Sequence, residues 1–282
     1  MFTLKIQNTN GEIWELTHNS NYHIIGVQGL TPPPTAVSTA TAGTIDGTFF
    51  NSARVEQRNL VITIVPNGDI EANRQLLYKM FPRKTKCTIY FSNKYRDVKI
   101  DGYVETLEGD LFTMRQQIQI SIICPRPFFE DLYTLYMELS KIVALFEFPF
   151  SILEPIPFSE LLDTPRCIIN NIGDAVCGAK IDIDVYNACE KLKIINTTEN
   201  TFFEINYTFA ADDHIVINTN SGQMGVYLTR SGVKTNLLNY VTQGSTWLKL
   251  KPGLNTFTFT LETGEFDYVG IHFTTTLLYG GV

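Results

Sequence analysis

The stretch IQISIICPRP, residues 118–127, shows most directly how this chain folds. Isoleucine occupies every second position from 118 to 122, and the residues between are polar. Because successive side chains of a strand point to opposite faces, this spacing predicts a strand with one apolar and one polar face. The Cys-Pro-Arg-Pro at 124–127 ends the strand, since proline cannot donate a ladder hydrogen bond. The stretch is therefore typical of an antiparallel sheet with one buried face.

Comparable strands flank this stretch throughout the first half of the chain. Residues 2–7 alternate in the same way, and Asn10-Gly11 supplies the positive φ angles of a tight hairpin turn. Residues 58–65, RNLVITIV, predict another strand, which ends at Pro66. The remaining candidates are the return strand that begins at Ile13, Trp14 and Leu16, the strand 22–27, and two hairpins, 87–92 with 95–100 and 103–107 with 112–123.

One helix is predicted in the first half, over Asp69–Phe81. Asp69 is suited to accept a hydrogen bond as the N-cap, and Lys79 lies near the end, where it interacts favourably with the helix dipole. Apolar side chains on one side give the segment a face to bury. Pro82 ends the helix, because proline cannot continue it.

Residues 31–47, TPPPTAVSTATAGTIDG, are predicted to form a long exposed loop. The prolines Pro32, Pro33 and Pro34 exclude a helix or a central strand, and the small polar remainder cannot build a core. We expect residues 31–43 to become ordered against a neighbouring copy. The three prolines are therefore candidate oligomer-interface residues.

Residues 131–165 differ from the rest and are interpreted as a connector between two domains. Apolar side chains at steps of three and four predict an amphipathic helix, followed by a proline-rich, semi-rigid segment over 148–165 that is extended or irregular. The side chains of the apolar stripe are Leu132, Leu135, Tyr136, Leu139, Ile142, Val143 and Phe146.

From Arg166 onward, short alternating segments are separated by Gly, Asn and Asp. Strands at this spacing predict an antiparallel sandwich or jelly roll. The candidates are 166–171, 179–186, 190–196, 201–208, 214–218, 224–230, 234–240, 246–251, 255–261 and 267–275.

Composition limits the possible classes of protein. The 282 residues suggest two domains, and 44% apolar against 18% charged residues is enough to build a core, which excludes general disorder. The net charge of −7 disfavours a dedicated nucleic-acid binder. No run of about 18 apolar residues suggests a membrane span, and the N-terminus reads as a strand rather than a secretory signal. Five cysteines without a C-x-x-C pair favour synthesis in a reducing cytosol.

The sequence predicts no catalytic, cofactor or metal site. The four histidines lack the spacing of a zinc site, and no nucleophile elbow or phosphate-binding glycine loop is present. Asp182 and Asp184 lie on one face of a strand, where paired carboxylates suit the hydrolysis of a glycosidic bond, although a solvated strand face explains them more simply. Asp212-Asp213-His214 is interpreted as a turn with solvated acids.

A basic cluster stands out in this acidic chain. It is either solubilising charge or a positive surface for an acidic partner subunit or for passing nucleic acid. Arg83, Lys84 and Lys86 are the candidate interface residues within it. The whole cluster is Arg74, Lys79, Arg83, Lys84, Lys86, Lys94, Arg96 and Lys99.

Trp247 is the candidate carbohydrate contact. An exposed aromatic ring on a β-sandwich is a platform for a sugar ring, whereas a tryptophan in a strand more often packs in the core. A carbohydrate-binding module for host-surface glycans is therefore the alternative function, and a glycan hydrolase built on Asp182 and Asp184 is a third.

Several motifs follow one another in an informative order. They are GLTPPP (29–34), DGTFF (46–50) with SARVEQRNLVITI (52–64), the helix at 69–81, IQISIICPRPFFED (118–131), FEFPF (146–150), NNIGDAVCGAKIDI (170–183), DDHIVINTNSGQMGVYL (212–228), WLKLKPGLNTFTF (247–259) and the terminal YGGV. In this order, over nearly the whole chain, the sequence resembles the distal tail proteins of long, non-contractile-tailed phages that infect Gram-positive bacteria.

The resemblance implies a mostly β fold in three parts. Residues 1–130 would be a ring-forming β-sandwich with one α-helix and a protruding hairpin. Residues 131–165 would be the helical and proline-rich connector, and residues 166–282 a galectin-like antiparallel β-sandwich. Sugar binding does not follow from the galectin likeness, since fold does not imply function.

The resemblance also implies a structural role in the virion, without enzymatic activity or cofactor. A hexameric ring would form the baseplate hub at the tail tip, after synthesis in the host cytoplasm. It would join the tail tube and tape-measure protein to the tail-associated lysin or tail fibre, and in some relatives it carries receptor-binding proteins for host adsorption. The genome would pass through the ring lumen without sequence-specific DNA binding.

Overall fold

The computed structural model describes residues 2–41, 43, 46–113, 115–144 and 159–282, and the side chains of 140–144 and 159–164 lie outside that description. The chain divides into two compact units. The first comprises Met1–Leu132 with Leu278–Val282, and the second comprises Tyr133–Leu277. Strands dominate both, so the mostly β fold class is confirmed. The domain boundaries at 130 and 165 stay a prediction.

The first unit consists of antiparallel strands and one helix. Backbone pairing gives the order β2–β1–β7–β8–β9–β6–β3, with the start of β10 added to β8, for the strands defined next. The elements are β1 (Thr3–Gln7), β2 (Ile13–Glu15), β3 (Tyr22–Gln28), β4 (Thr35–Ala40), β5 (Phe49–Val55), β6 (Arg58–Pro66), α1 (Ile70–Met80), β7 (Lys86–Ser92), β8 (Asp97–Gly109), β9 (Ile118–Cys124) and β10 (Phe129–Ala144).

Strand β9 supplies one wall of the core of the first unit, as its alternation predicts. The isoleucines at 118, 120 and 122 are buried. Ser121 is buried as well, and its hydroxyl lies 3.0 Å from both Asn59 Oδ1 and Glu105 Oε2. The hydroxyl donates its one proton to one of these two oxygens, which satisfies a polar group that would otherwise be costly to bury.

The predicted helix is confirmed as α1. The Asp69 side chain accepts a hydrogen bond of 3.0 Å from the Ala72 amide, which makes it the N-cap. Leu77, Met80 and Phe81 are buried, so the apolar face packs inward as expected.

Two strand predictions in the first unit need correction. The segments 95–100 and 103–107 are parts of one strand, β8, because Asp101-Gly102 continues the strand instead of turning. Gly102 is required there by packing: a Cβ at this position would lie 2.6 Å from Ile122 Cγ2.

The long loop predicted over residues 31–47 is wrong for residues 35–40, which form β4. This strand pairs with β5 as a two-stranded sheet of its own, from Thr35 opposite Val55 to Ala40 opposite Phe49. We call residues 35–55 the hairpin arm. The prediction failed because the small side chains build no core, whereas the arm forms through backbone hydrogen bonds and all residues of its two strands are exposed.

The connector helix is also wrong over residues 132–144. These residues belong to β10, which pairs with β8 at Glu130 and continues to Ala144. The three- and four-residue spacing of apolar side chains is misleading because some of them, including Leu132 and Tyr136, are exposed on the strand. Phe146 and the proline-rich residues 148–158 lie outside the described residues, whereas Pro165 lies in a strand.

The second unit is a sandwich of two antiparallel sheets. One sheet has the order β11–β18–β13–β14 and the other β19–β12–β15–β16–β17, for the strands defined next. The strands are β11 (Ser159–Asn171), β12 (Lys180–Val185), β13 (Cys189–Asn196), β14 (Thr201–Phe209), β15 (His214–Asn218), β16 (Gly225–Arg230), β17 (Val233–Asn236), β18 (Gly253–Thr263) and β19 (Val269–Tyr279).

The two sheets of the second unit bury aromatic side chains between them. The ring centroids of Phe257 on β18 and Phe273 on β19 are 4.8 Å apart, and both side chains are fully buried. The strand predicted over 246–251 is wrong, because only Leu250 makes an isolated bridge, to Cys177. The strand predicted over 234–240 ends at Asn236 and is followed by a 3-10 turn.

Candidate functional site

Arg58, the first residue of β6, is the most unusual polar side chain in the first unit. It is 1% exposed and donates hydrogen bonds to four main-chain carbonyl oxygens. The oxygens belong to Gly29, Thr31 (2.7 Å), Pro127 (2.7 Å) and Gly280 (2.5 Å).

The environment of Arg58 explains how a cation is held in the interior. Its guanidinium carbon lies 4.4 Å from the centroid of the Phe129 ring, where a cation–π interaction adds to the hydrogen bonds. Burial lowers the pKa of Arg58, but an arginine keeps its proton in a protein at physiological pH. The buried positive charge is therefore stabilised by carbonyl dipoles and an aromatic face.

A second arginine contacts two of the C-terminal residues 278–282. We call these five residues the tail of the chain, as distinct from the tail of a phage. Arg96 donates a hydrogen bond to the Gly281 carbonyl, and its guanidinium lies 4.4 Å from the centroid of the Tyr279 ring. The Tyr279 hydroxyl donates to Asp131 Oδ2 at 2.8 Å, and the Val282 amide donates to the Leu30 carbonyl at 3.1 Å. The tail is thus anchored in the first unit at every residue from 279 to 282.

Glycine is required at position 29 and leaves little room for a side chain at position 281, where these segments meet. Gly29 has a φ of +85°, and a Cβ there would collide with the Asn59 carbonyl oxygen. At Gly281 a Cβ would lie 3.1 Å from the Leu30 carbonyl oxygen and 3.2 Å from Pro32 Cδ. Three motifs noted in the sequence, GLTPPP, CPRPFFED and YGGV, therefore converge around Arg58.

The hairpin arm carries an apolar face that no other described residue of the chain covers. Cross-strand partners point to the same face, and alternate positions of β4 place Val37, Thr39 with its partner Phe50, and Thr35 with its partner Val55 on one side. A bulge in β5 between the Ser38–Ser52 and Thr39–Phe50 pairs brings Phe50 to this face, although it is five residues from Val55. Phe50 is 67% exposed and Val37 57% exposed. An isolated two-stranded hairpin is marginally stable in water, so this face is suited to contact another molecule.

The predicted interface prolines lie at the base of the hairpin arm. Pro32 and Pro34 are exposed and Pro33 is half-buried. The Pro34 carbonyl accepts a hydrogen bond of 2.9 Å from the Glu56 amide, which closes the base. The structure thus places these prolines beside the apolar face of the arm, and their role in an interface stays a prediction.

The basic cluster is not one continuous positive surface. Arg74 is buried and pairs with Glu71, and Lys86 forms an ion pair of 2.7 Å with Asp101, which raises the pKa of Lys86. Arg83 and Lys84 remain exposed next to that pair. The three candidates of the sequence, at 83, 84 and 86, are therefore close together, but one of them is partly neutralised.

Trp247 is half-buried and packs on Phe203, with 5.0 Å between ring centroids. A more open aromatic surface lies elsewhere in the second unit, where β14 bulges between its pairs Ile205–Leu192 and Thr208–Glu190 with β13. There a cleft of about 450 Å³ is lined by Tyr207, Tyr240, Glu190, Glu262, Asn206 and Thr208. The two tyrosine rings meet edge to face at 4.8 Å.

The acidic pairs of the second unit have structural partners. His214 Nδ1 lies 2.8 Å from Asp184 Oδ1, and Lys180 Nζ lies 2.7 Å from Asp182 Oδ1. Both carboxylates are on the polar face of β12, so this arrangement is that of an ion-paired sheet surface.

The acidic run before β15 is structural as well. Asp213 is buried and bound by Arg230, with Nε 2.7 Å from Oδ1 and Nη2 2.5 Å from Oδ2. Burial raises the pKa of Asp213, but the hydrogen bonds from Arg230 and the Ala210 amide outweigh it and lower that pKa. The predicted turn of solvated acids is thus wrong for Asp213.

The cysteines are reduced and buried, and burial raises their pKa values. In the described part of the chain, no cluster of His, Cys, Asp or Glu is arranged to hold a metal ion. Among the same residues, no helix has the length and apolar character of a membrane span.

Comparison with known proteins shows two kinds of similarity, one in sequence and one in fold. Residues 172–276 match the model of the siphovirus-type tail component, C-terminal domain. The fold of the whole chain is similar to the crystal structure of the SPP1 Dit (gp 19.1) protein, with a TM-score of 0.68, 14% identity and 99% coverage of both chains. A chain of the phage P2 baseplate in its activated conformation with calcium gives a TM-score of 0.48, 13% identity and 98% coverage of both chains. No curated protein sequence matches.

Residues 172–276 are thus similar to the C-terminal domain of siphovirus-type tail components. The fold of the whole chain is similar to that of the SPP1 Dit protein, so the resemblance to the distal tail proteins that the order of the motifs predicts is confirmed.

Proposed function

We propose that identical copies of this protein form a closed ring, the hub of the tail tip, through the first unit. The observation that carries the proposal is the uncovered apolar face of the hairpin arm at Val37, Phe50 and Val55. A head-to-tail contact that returns on itself would cover one such face in every copy. A similar fold in the SPP1 protein, described as a paradigm of the hub adsorption apparatus, supports this role.

The ring is proposed to be hexameric and to act through geometry, without enzymatic activity. One side would present a symmetric surface to the tail tube and tape-measure protein, and the other to the tail-associated lysin or tail fibre. The paired environments of Asp182 and Asp184 support a non-catalytic role, since each carboxylate already has a cationic or histidine partner. Receptor-binding proteins and the passing genome are further proposed partners.

Mass measurement of the purified protein tests the ring. Native mass spectrometry over a concentration series, with negative-stain microscopy, should show a closed particle of six copies of the 31.9 kDa chain. A monomer over the whole concentration range would contradict the proposal.

A second candidate function is carbohydrate binding by the second unit. The cleft at Tyr207 and Tyr240 favours it, because aromatic rings beside carboxylate and amide groups suit the apolar and hydroxylated faces of a sugar. Trp247 is the less suitable contact, since it packs on Phe203. In binding assays with purified host cell-wall polysaccharide, Tyr240→Ala should abolish binding if the cleft is the site, and Trp247→Ala should abolish it if the tryptophan is. Absence of binding by the unmodified protein would remove this function.

A further inference from the structure

The tail and Arg58 hold the segment that leads into the hairpin arm. This segment, residues 29–34, connects β3 to β4. Arg58 binds the carbonyl oxygens of Gly29 and Thr31, and the amide of Val282 binds the carbonyl oxygen of Leu30 between them. Three consecutive carbonyl groups at the entrance of the arm are therefore fixed from outside the segment.

The exit of the arm is fixed at the same place. Strand β5 ends at Val55, and Arg58 follows three residues later as the start of β6. The Glu56 amide donates to the Pro34 carbonyl, which ties the exit to the entrance. Arg58 also binds Gly280 of the tail, so one guanidinium joins both sides of the base to the end of the chain.

The direction of the arm depends on these base contacts. Every residue of β4 and β5 is exposed, so side-chain packing within the unit does not orient the two strands. The six residues of β4 span about 20 Å, because a strand rises about 3.3 Å per residue. A change of backbone angle at the base therefore displaces the far end of the arm over this length. A small rotation at the base would move Phe50 by several ångströms.

We propose that Arg58 is a positioning residue for self-association, and that the tail is the strap through which it acts. With the tail bound, the base is rigid and the apolar face of the arm is presented at a fixed angle. Without it, the Leu30 and Gly280 contacts are lost together and the arm samples many directions. Pre-organisation of this kind lowers the entropy cost of association. The inference rests on the proposed ring.

Hydrogen exchange and native mass spectrometry of full-length variants test the inference. The variants are Arg58→Met, deletion of residues 280–282, and deletion of Val282 alone. Arg126→Met is the matched control, since Arg126 is an exposed arginine of the same unit with a weak ion pair of 3.9 Å to Glu130.

We expect hydrogen exchange at the amides of Gly29, Leu30, Thr31 and Glu56 to be at least tenfold faster in Arg58→Met and in the deletion of residues 280–282 than in wild type. Residues 32–34 are prolines and have no amide hydrogen. Amides of β7, β8 and β9 should exchange at the wild-type rate. The ring of each variant should already dissociate at protein concentrations at which the wild-type ring is still assembled. The control should match wild type in both measurements. Deletion of Val282 removes one hydrogen bond and should give a smaller change at the Glu56 amide, which keeps the test decisive if Arg58→Met unfolds the unit.

The possible failures are distinguishable. Wild-type exchange at the Glu56 amide in both deletions would overturn the inference in a protein that still forms rings. Faster exchange with unchanged ring stability would also overturn it, because the base would then be loosened without affecting association. A wild-type protein that never associates would overturn the proposed ring itself, whatever the exchange shows.

Discussion

Replacing Phe50 with aspartate tests self-association at the residue that contributes most to the apolar face of the hairpin arm. Full burial of a large apolar side chain stabilises by about 1.5–3 kcal/mol. Phe50 is 67% exposed, so a neighbouring copy that covers it gains about 1–2 kcal/mol per contact. The aspartate loses this gain and leaves a carboxylate without a partner in the contact, which costs about 1–3 kcal/mol more.

The two effects together weaken each contact by about 2–5 kcal/mol, or about 30- to 4,000-fold, since about 1.4 kcal/mol is a factor of ten. In a closed ring the same contact recurs in every copy, so all interfaces are weakened at once. The folded monomer should be unaffected, because the arm is exposed on both faces. We therefore expect a monomer with an unchanged circular dichroism spectrum.

Sedimentation over a dilution series measures the effect. Phe112→Asp is the matched control, since Phe112 is fully exposed in the same unit and outside the arm. The concentration at which half of the rings have dissociated should be the same for the control as for wild type. For Phe50→Asp this concentration should be at least about 30-fold higher, which is the lower estimate for one contact. A Phe50→Asp protein that assembles like wild type would refute the role of the apolar face.

Three further predictions follow from the geometry. Asp213→Asn should lower the free energy of unfolding of the second unit by about 1–3 kcal/mol near neutral pH, because Asp213 accepts charged hydrogen bonds from Arg230. The folded-state pKa of Asp213 is lowered, so this contribution is present above its unfolded pKa of about 4 and is lost as the pH falls through the folded pKa; denaturation at several pH values measures it. Charge reversal at Arg83, Lys84 and Lys86 should impair the joining of tails, scored by electron microscopy of lysates, and normal tails would remove the proposed role of that surface. The five buried thiols should react with a disulfide reagent only after unfolding, because burial raises their pKa values, to about 12 for Cys87 and Cys124.

Alternation and capping made much of the fold predictable. β9 and α1 follow local rules, since each buries one face and carries its own end signals. β10 was not predictable in the same way. Its apolar side chains fit a helical period, and the choice of strand depends on backbone pairing with β8 and β11, whose residues are distant in sequence. The hairpin arm was missed for a different reason. Its two strands pair with each other and bury no side chains, so no apolar alternation marks them in the sequence.

The buried Arg58 and its four carbonyl partners could be predicted from the sequence only in part. In RNLVITIV the arginine has the same parity as Leu60, Ile62 and Ile64, so the strand period places a charge on the buried face. A buried cation must be paired or hydrogen-bonded, which predicts partners but not their identity. The partners are carbonyl oxygens, which every residue including proline offers, so no side-chain pattern marks Gly29, Pro127 or Gly280 as neighbours. Gly29 and Gly281 are the sequence signal for this convergence. Another backbone segment approaches each of them so closely that a Cβ would collide with it or crowd it, and only glycine lacks a Cβ.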